Sequence, residues 1–163
     1  MNRRTFTTTA LLGLAVATAL PQTGLAQINP LIGTWKLNVA KSKYSPGPPP
    51  RSNTVIWEAV GQGLRSRGEG VDAQGNPTKT DFGVISFDGK SYPVTGQPAY
   101  DASSYKLVNA STYTYEATRT KAGRVVRTLT SVPSADGKSR TLTITGVDEK
   151  GQQINNVVVF DKQ

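Results

Sequence analysis

Cysteine and histidine are both missing from this chain of 163 residues. Without cysteine, the protein has no disulfides, no thiolate chemistry and no cysteine-ligated metal. Without histidine, it lacks the commonest general base and the commonest transition-metal ligand. The two absences argue against a catalytic triad, a zinc hydrolase and a haem protein. We therefore expect a protein that is not an enzyme and that binds neither a cofactor nor a metal.

Acidic residues are few, and no motif marks a catalytic pair among them. Glu58, Asp81, Glu116 and Asp161 fall within predicted strands, but a glycosidase needs two carboxylates that face each other. Lysine and tyrosine could in principle act as acid and base. An enzyme without histidine or cysteine therefore stays as the least favoured hypothesis.

Basic residues outnumber acidic ones by 19 to 11, which gives a formal net charge of +8. Two of the 19 are Arg3 and Arg4 in the N-terminal leader, and without them the net charge is +6. Such an excess favours anionic partners, including acidic lipid, lipopolysaccharide and phosphate or carboxylate ligands. The alternative is that the charge only keeps a solvated surface soluble. For an exported protein we expect no nucleic-acid partner.

The first 26 residues have the pattern of an export signal. Two arginines precede an apolar stretch over residues 10–20, which is too short to span a bilayer as a helix, and small residues end at Ala26. Paired arginines are compatible with the twin-arginine route and with ordinary leaders. We expect a periplasmic or secreted protein with one domain over residues 27–163, no transmembrane segment, and a monomeric state.

The chain after the leader alternates strand-like runs with turn signals and shows no helical period. Threonine, valine, tyrosine and isoleucine dominate the runs. Ten strands are predicted: Leu31–Val39, Thr54–Val60, Leu64–Val71, Lys79–Phe87, Ser91–Thr95, Ser104–Val108, Thr112–Thr120, Arg124–Val132, Arg140–Val147 and Ile154–Asp161. The predicted turns include Ala73–Pro77, Asp88-Gly89, Ala122-Gly123, Asp136-Gly137 and Lys150-Gly151.

Connections this short join neighbouring antiparallel strands. A sheet of about 8–10 such strands twists and curls, and closure removes its exposed edges. A sandwich would need long cross-overs, for which only Ala40–Asn53 and Gly96–Ser103 are long enough. The sequence therefore predicts an all-β fold, an antiparallel up-and-down meander closed into a barrel.

Four prolines stiffen the first long connection, residues 40–51, and its Pro-rich part is Pro46–Pro50. Proline excludes a helix there and favours an extended or polyproline II course. Three roles remain open for this segment. It could cover one mouth of the barrel as a lid, recruit a proline-reading partner, or form a stiff surface connection.

Gly33-Thr34-Trp35-Lys36-Leu37-Asn38 resembles the first-strand motif of lipocalins and related calycin barrels. The strings Ala40–Pro48 and Asp88–Gly96 are similar to segments of exported bacterial lipocalin-like proteins. The resemblance implies a small barrel that holds an apolar or amphipathic ligand without catalysis. It also implies that Trp35 packs across the base of the barrel under a basic residue of the last strand. Lys162 is the candidate for that residue, where the family usually has arginine.

Candidate ligand contacts lie on one predicted strand, where Tyr113, Tyr115 and Arg119 share a face. Two tyrosines and an arginine could hold an aromatic or carboxylate-bearing ligand, with the arginine forming a fork to the anion. The same face could instead be exposed to water. Trp57, on another strand, could line a pocket or fill the core.

Arg127 is a further candidate, because it lies between Val125 and Leu129 on one strand face. If that face is interior, Arg127 is a buried cation that needs an anionic partner. The opposite face is about equally apolar, so the sequence leaves open which face is inside.

Together these observations predict an exported, non-catalytic, lipocalin-like protein that binds a small apolar or amphipathic ligand, with or without an anionic group. The alternative is a cell-envelope interaction module, which would use its basic surface and the Pro-rich loop to bind an anionic envelope component. An open apolar cavity would favour the first hypothesis, and a barrel filled with side chains would favour the second.

Overall fold

The structure, a computed structural model, describes residues 29–163 as one ten-stranded antiparallel sheet. The predicted leader, Met1–Ala26, and the export route lie outside the described residues. The strands are β1 (Gly33–Leu37), β2 (Ser52–Val60), β3 (Gly63–Val71), β4 (Pro77–Ile85), β5 (Asp88–Pro93), β6 (Ala102–Asn109), β7 (Thr114–Lys121), β8 (Arg124–Pro133), β9 (Ser139–Val147) and β10 (Gln153–Lys162).

Each strand pairs with its neighbours in sequence, and β1 pairs with β10, so the order is β4-β3-β2-β1-β10-β9-β8-β7-β6-β5. This is the predicted up-and-down meander, and it is curled into a nearly closed barrel. In the described part of the chain, no helix is long and apolar enough to cross a membrane.

The seam between β4 and β5 is held by a short stretch after β5. Asp81 and Thr95 exchange two backbone hydrogen bonds, of 3.1 and 2.9 Å, across it. Gly96 makes this approach possible, since a Cβ at this position would lie 2.1 Å from the carbonyl oxygen of Lys79. The connection that could have served as a sandwich cross-over, Gly96–Ser103, therefore begins by folding against β4 and closes the barrel.

Strand boundaries differ from the predicted ones by up to about three residues, and two differences matter. The predicted turn at Asp88-Gly89 is wrong, because the chain turns at Ser86-Phe87. Asp88 is already the first residue of β5, where it pairs with Lys106 of β6. A bulge between Asp88 and Ser91 absorbs the glycine. The sequence signal marked an irregularity correctly but placed the turn two residues late.

The second difference is at the start of β7, which begins at Thr114 and not at Thr112. Tyr113 has a φ of +53°, a left-handed conformation that interrupts the alternation of strand faces. The expectation that Tyr113 shares a face with Tyr115 and Arg119 is therefore wrong.

The barrel has two ends, which we call the base and the mouth. The base carries the turns after β2, β4, β6 and β8, and the segment 29–32 lies across it. There Trp35, with 1% of its surface exposed, donates its indole N–H to the carbonyl oxygen of Leu31 at 2.8 Å. The mouth carries the turns after β3, β7 and β9 and the connection 94–101.

The Pro-rich segment reaches the mouth along the barrel wall. Lys43 exchanges backbone hydrogen bonds of 2.7 and 2.8 Å with Val157 of β10, and the amide of Asn155 donates to the carbonyl oxygen of Ser45. The segment thus continues the course of β1 irregularly, and Pro46–Pro50 lies at the rim. These hydrogen bonds fix the segment to the barrel wall, as expected of a stiff surface connection. Its roles as a lid or as a site for a proline-reading partner stay predictions.

Trp35→Ala tests how far the base depends on this one ring. Truncating a fully buried tryptophan should lower the free energy of unfolding by about 3–5 kcal/mol, measured by urea denaturation. Val125→Ala, at a side chain that is 62% exposed, is the control and should stay within about 0.5 kcal/mol. A loss at Trp35 as small as that of the control would show that the ring does not support the base.

Candidate ligand-binding cavity

A cavity of about 210 Å³ runs through the barrel interior towards the mouth. It has the space of about seven liquid water molecules and lies below the roughly 300–1,000 Å³ of pockets for drug-sized ligands. Aromatic rings, aliphatic side chains and three arginines form its wall. Its lining includes Tyr44, Val55, Trp57, Phe82, Gln97, Tyr100, Tyr105, Tyr115, Arg119, Arg127, Arg140, Leu142, Ile144, Ile154, Asn156, Val158 and Phe160.

Arg140 forms the floor of this cavity. It lies on β9 opposite Phe160 of β10, and its side chain points inward with only 2% of its surface exposed. Its guanidinium carbon lies 5.0 Å from the ring centroid of Trp35, 5.7 Å from that of Trp57 and 5.3 Å from that of Phe160. Arg140 is therefore a fully enclosed cation held among three aromatic faces.

Several N–H groups at the floor have no hydrogen-bond partner within residues 29–163. They are Nε and Nη1 of Arg140 and Nε1 of Trp57. Buried polar groups in folded proteins nearly always have a partner, and an unpartnered one costs free energy. These three N–H groups belong to side chains that line the cavity.

Burial lowers the pKa of Arg140, and the hydroxyl groups of Tyr115 and Tyr105 partly oppose that effect. The guanidinium nevertheless keeps its proton at neutral pH, because arginine is not deprotonated in proteins. Within the described residues, no aspartate or glutamate lines the cavity. A buried charge without a counter-charge costs several kcal/mol. Each cation–π contact with an aromatic face offsets about 0.5–2 kcal/mol of that cost.

Arg119 and Arg127 form a second cationic group near the mouth, where they lie opposite each other on β7 and β8. Arg119 donates to the hydroxyl of Tyr100 and lies 4.5 Å from that ring and 5.2 Å from the ring of Phe82. Arg127 lies 5.6 Å from the Tyr100 ring and donates through Nε to the carbonyl oxygen of Val147 at 3.2 Å. Burial lowers the pKa of Arg127, and the neighbouring charge of Arg119 adds to this.

The middle of the wall is aromatic and aliphatic. Tyr115 packs against Trp57 and Tyr105, with ring centroids 6.3 and 6.1 Å apart. Burial raises the pKa of Tyr105 to about 12 and that of Tyr44 to about 12. These phenols are neutral at physiological pH, so they can donate a hydrogen bond but add no negative charge.

Four of the five ligand contacts predicted from the sequence line this cavity: Trp57, Tyr115, Arg119 and Arg127. The strand face left undecided in the sequence is now assigned, because Arg127 and Leu129 point inward while Thr128 is exposed. Val125 does not follow that face, since a bulge in the β7–β8 pairing shifts the register there.

Tyr113 does not join the other four. It lies at the base, where it lines a separate shallow depression with Ile32, Leu64 and Phe87. Its ligand-binding role stays a prediction, detached from the cavity.

The predicted Trp35–Lys162 contact lies on the outer side of the base. Lys162 pairs in register with Trp35, its Nζ is 5.2 Å from the indole centroid, and it donates to the carbonyl oxygen of Pro30 at 3.0 Å. Gly33 has a φ of +130°, and a Cβ there would lie 3.0 Å from the Cε of Lys162. The glycine therefore leaves room for the lysine stem to reach the tryptophan.

Arg140, Tyr44 and Tyr100 are cavity residues that sequence reasoning missed. A signal existed for the first, because Arg140, Leu142 and Ile144 alternate on one face of a predicted strand. Tyr44 and Tyr100 lie in connections between strands, where the alternation of residues does not predict which way a side chain points.

Comparisons of the chain with protein-family models, with curated proteins and with solved structures gave no match. The nearly closed antiparallel barrel is compatible with a lipocalin-like fold. Within residues 29–163, no three side chains of the types that bind metals lie together. The side chains that line the cavity include three guanidinium groups, which are hydrogen-bond donors, and an aromatic and aliphatic wall.

Arg140→Met tests whether the buried cation is kept at a cost to stability. Removing an unpaired buried charge recovers several kcal/mol of desolvation, while losing the three ring contacts costs a similar amount. We expect the free energy of unfolding, from urea titration without added ligand, to stay within about 1 kcal/mol of wild type or to rise. Arg124→Met, at an exposed position, is the matched control, and a loss of several kcal/mol at Arg140 alone would show that Arg140 stabilises the fold.

Proposed function

We propose that this protein is an exported, non-catalytic, lipocalin-like binding protein whose cavity holds a small amphipathic anion, with a carboxylate as its head group. The observation that carries the proposal is the presence of Arg119, Arg127 and Arg140 in one cavity whose described lining has no acidic residue. Buried cations are ordinarily paired. A carboxylate supplies the missing counter-charge and matches the guanidinium fork.

The apolar part of the ligand is inferred from the wall between the arginines. Leu142, Ile144 and Val158 line it together with the rings of Trp57 and Tyr115. Each methylene that leaves water for such a surface contributes about 0.8 kcal/mol. A methylene takes up about as much space as a water molecule, so a cavity of about 210 Å³ fits a chain of roughly seven or eight carbons.

Binding without reaction is supported by the side chains present. Arginine does not release its proton in proteins, and the high pKa values of Tyr44 and Tyr105 make them poor bases. Export is supported by the pattern of residues 1–26. The motif Gly33-Thr34-Trp35 and the barrel topology support the lipocalin-like assignment.

Octanoate binding to the protein lacking its first 26 residues tests the proposal. Titration followed by calorimetry and by tryptophan fluorescence should give saturable one-to-one binding. Replacing both Arg127 and Arg140 by methionine should weaken it by at least about 10- to 100-fold, because a hydrogen bond to a charged group is worth about 1.5–3 kcal/mol. Arg124→Met, the exposed control, should bind octanoate as the wild type does.

Two results would contradict the proposal. Absence of saturable octanoate binding to the folded wild-type protein would remove the anion-binding function. Equal binding of octanoate and of octanol would show that the arginines do not recognise the head group, and only an apolar site would remain.

A further inference from the structure

The cationic groups of the cavity lie at its two ends and not at one point. On β9, Arg140 is at the base, and Gly146, six residues later, lies opposite Arg127 at the mouth. Six residues of strand cover about 20 Å. The long arginine side chains shorten that separation, but the two groups remain on different levels of the barrel.

Two levels of apolar side chains separate the ends. One is formed by Tyr115, Leu142 and Val158, which are connected through the register of β7 to β10. The next contains Leu129 and Ile144, which lie opposite each other on β8 and β9. No charged residue among the described lining residues interrupts this stretch, so its surface suits a hydrocarbon chain.

Each end has unsatisfied donors of its own. At the base, Nε and Nη1 of Arg140 and Nε1 of Trp57 have no partner within residues 29–163, and at the mouth the same holds for Nε of Arg119. One carboxylate at the base would leave the mouth donor unpaired, and one at the mouth would leave the base donors unpaired. A ligand with a single head group therefore satisfies only half of the site.

We infer that the cavity is built for an elongated dianion, an α,ω-dicarboxylate of medium chain length, with one carboxylate at Arg140 and the other between Arg119 and Arg127. This inference rests on the proposed function and specifies its ligand class. The aliphatic middle of such a ligand lies along the Leu142 and Ile144 levels. Arg119 and Arg127, which repel each other, share one negative charge at the mouth.

Electrostatics predicts whether a dianion binds more tightly or more weakly than a monoanion of equal length. If only one end recognised an anion, the second carboxylate of a dianion would lose hydration without gaining a counter-charge, which costs several kcal/mol. The dianion would then bind more weakly than the monoanion of equal length. If both ends recognise an anion, the second carboxylate gains charge-assisted hydrogen bonds, and the dianion binds more tightly.

Octanoate, octanedioate and octanediol, titrated at pH 7.5 by calorimetry, separate these cases. We expect the wild-type protein to bind octanedioate at least tenfold more tightly than octanoate, and octanediol most weakly. Arg140→Met and Arg127→Met should each abolish the preference for octanedioate, while the exposed control Arg124→Met should retain it. Arg140→Lys, which keeps the cation, should retain part of the preference. That result would show that Arg140→Met acts through the lost charge and not through misfolding.

The possible failures are distinguishable. If octanoate binds and octanedioate binds no more tightly, the dianion inference is overturned while the anion-binding function stands. If neither acid binds to the folded protein, both fail. If the preference for octanedioate survives in Arg140→Met, the base is not the second carboxylate site, and the inference is overturned as well.

Discussion

The contact between the guanidinium of Arg140 and the faces of Trp35, Trp57 and Phe160 joins four adjacent strands, β9, β10, β1 and β2. It lies at the base of the barrel, where it forms the floor of the cavity. The rings shield the cation from water, which makes the charge expensive to keep and strengthens its attraction for an anion. The rings that pack the core at the base are therefore the same rings that surround the cation of the candidate site.

At the mouth, two like charges are held together by a connection and not by a strand. The segment 94–101 brings the ring and hydroxyl of Tyr100 against Arg119 and Arg127. That segment is anchored to β4 through Thr95, where Gly96 allows the close approach of the two backbones. The same connection therefore closes the seam and positions Tyr100 against the two arginines.

Sequence patterns were sufficient for the architecture because alternation and turn residues are local signals. They predicted ten strands and identified four candidate ligand contacts that line the cavity: Trp57, Tyr115, Arg119 and Arg127. They failed where a single residue breaks alternation, as Tyr113 does with its positive φ. Arg140 was missed for another reason: its role depends on rings from β1, β2 and β10, and no local pattern reports which strands become neighbours on closure.

All three cations that line the cavity are arginines, and this determines how the charge of the cavity depends on pH. Histidine would lose its charge within the physiological pH range, but the chain has none, and arginine stays protonated there. The positive potential of the cavity is therefore constant wherever the protein is folded. Under the proposed function, the pH dependence of binding then comes from the ligand, since a carboxylic acid becomes neutral only below about pH 5. The proposed carboxylate would therefore stay bound near neutral pH and would not be released by a small pH change.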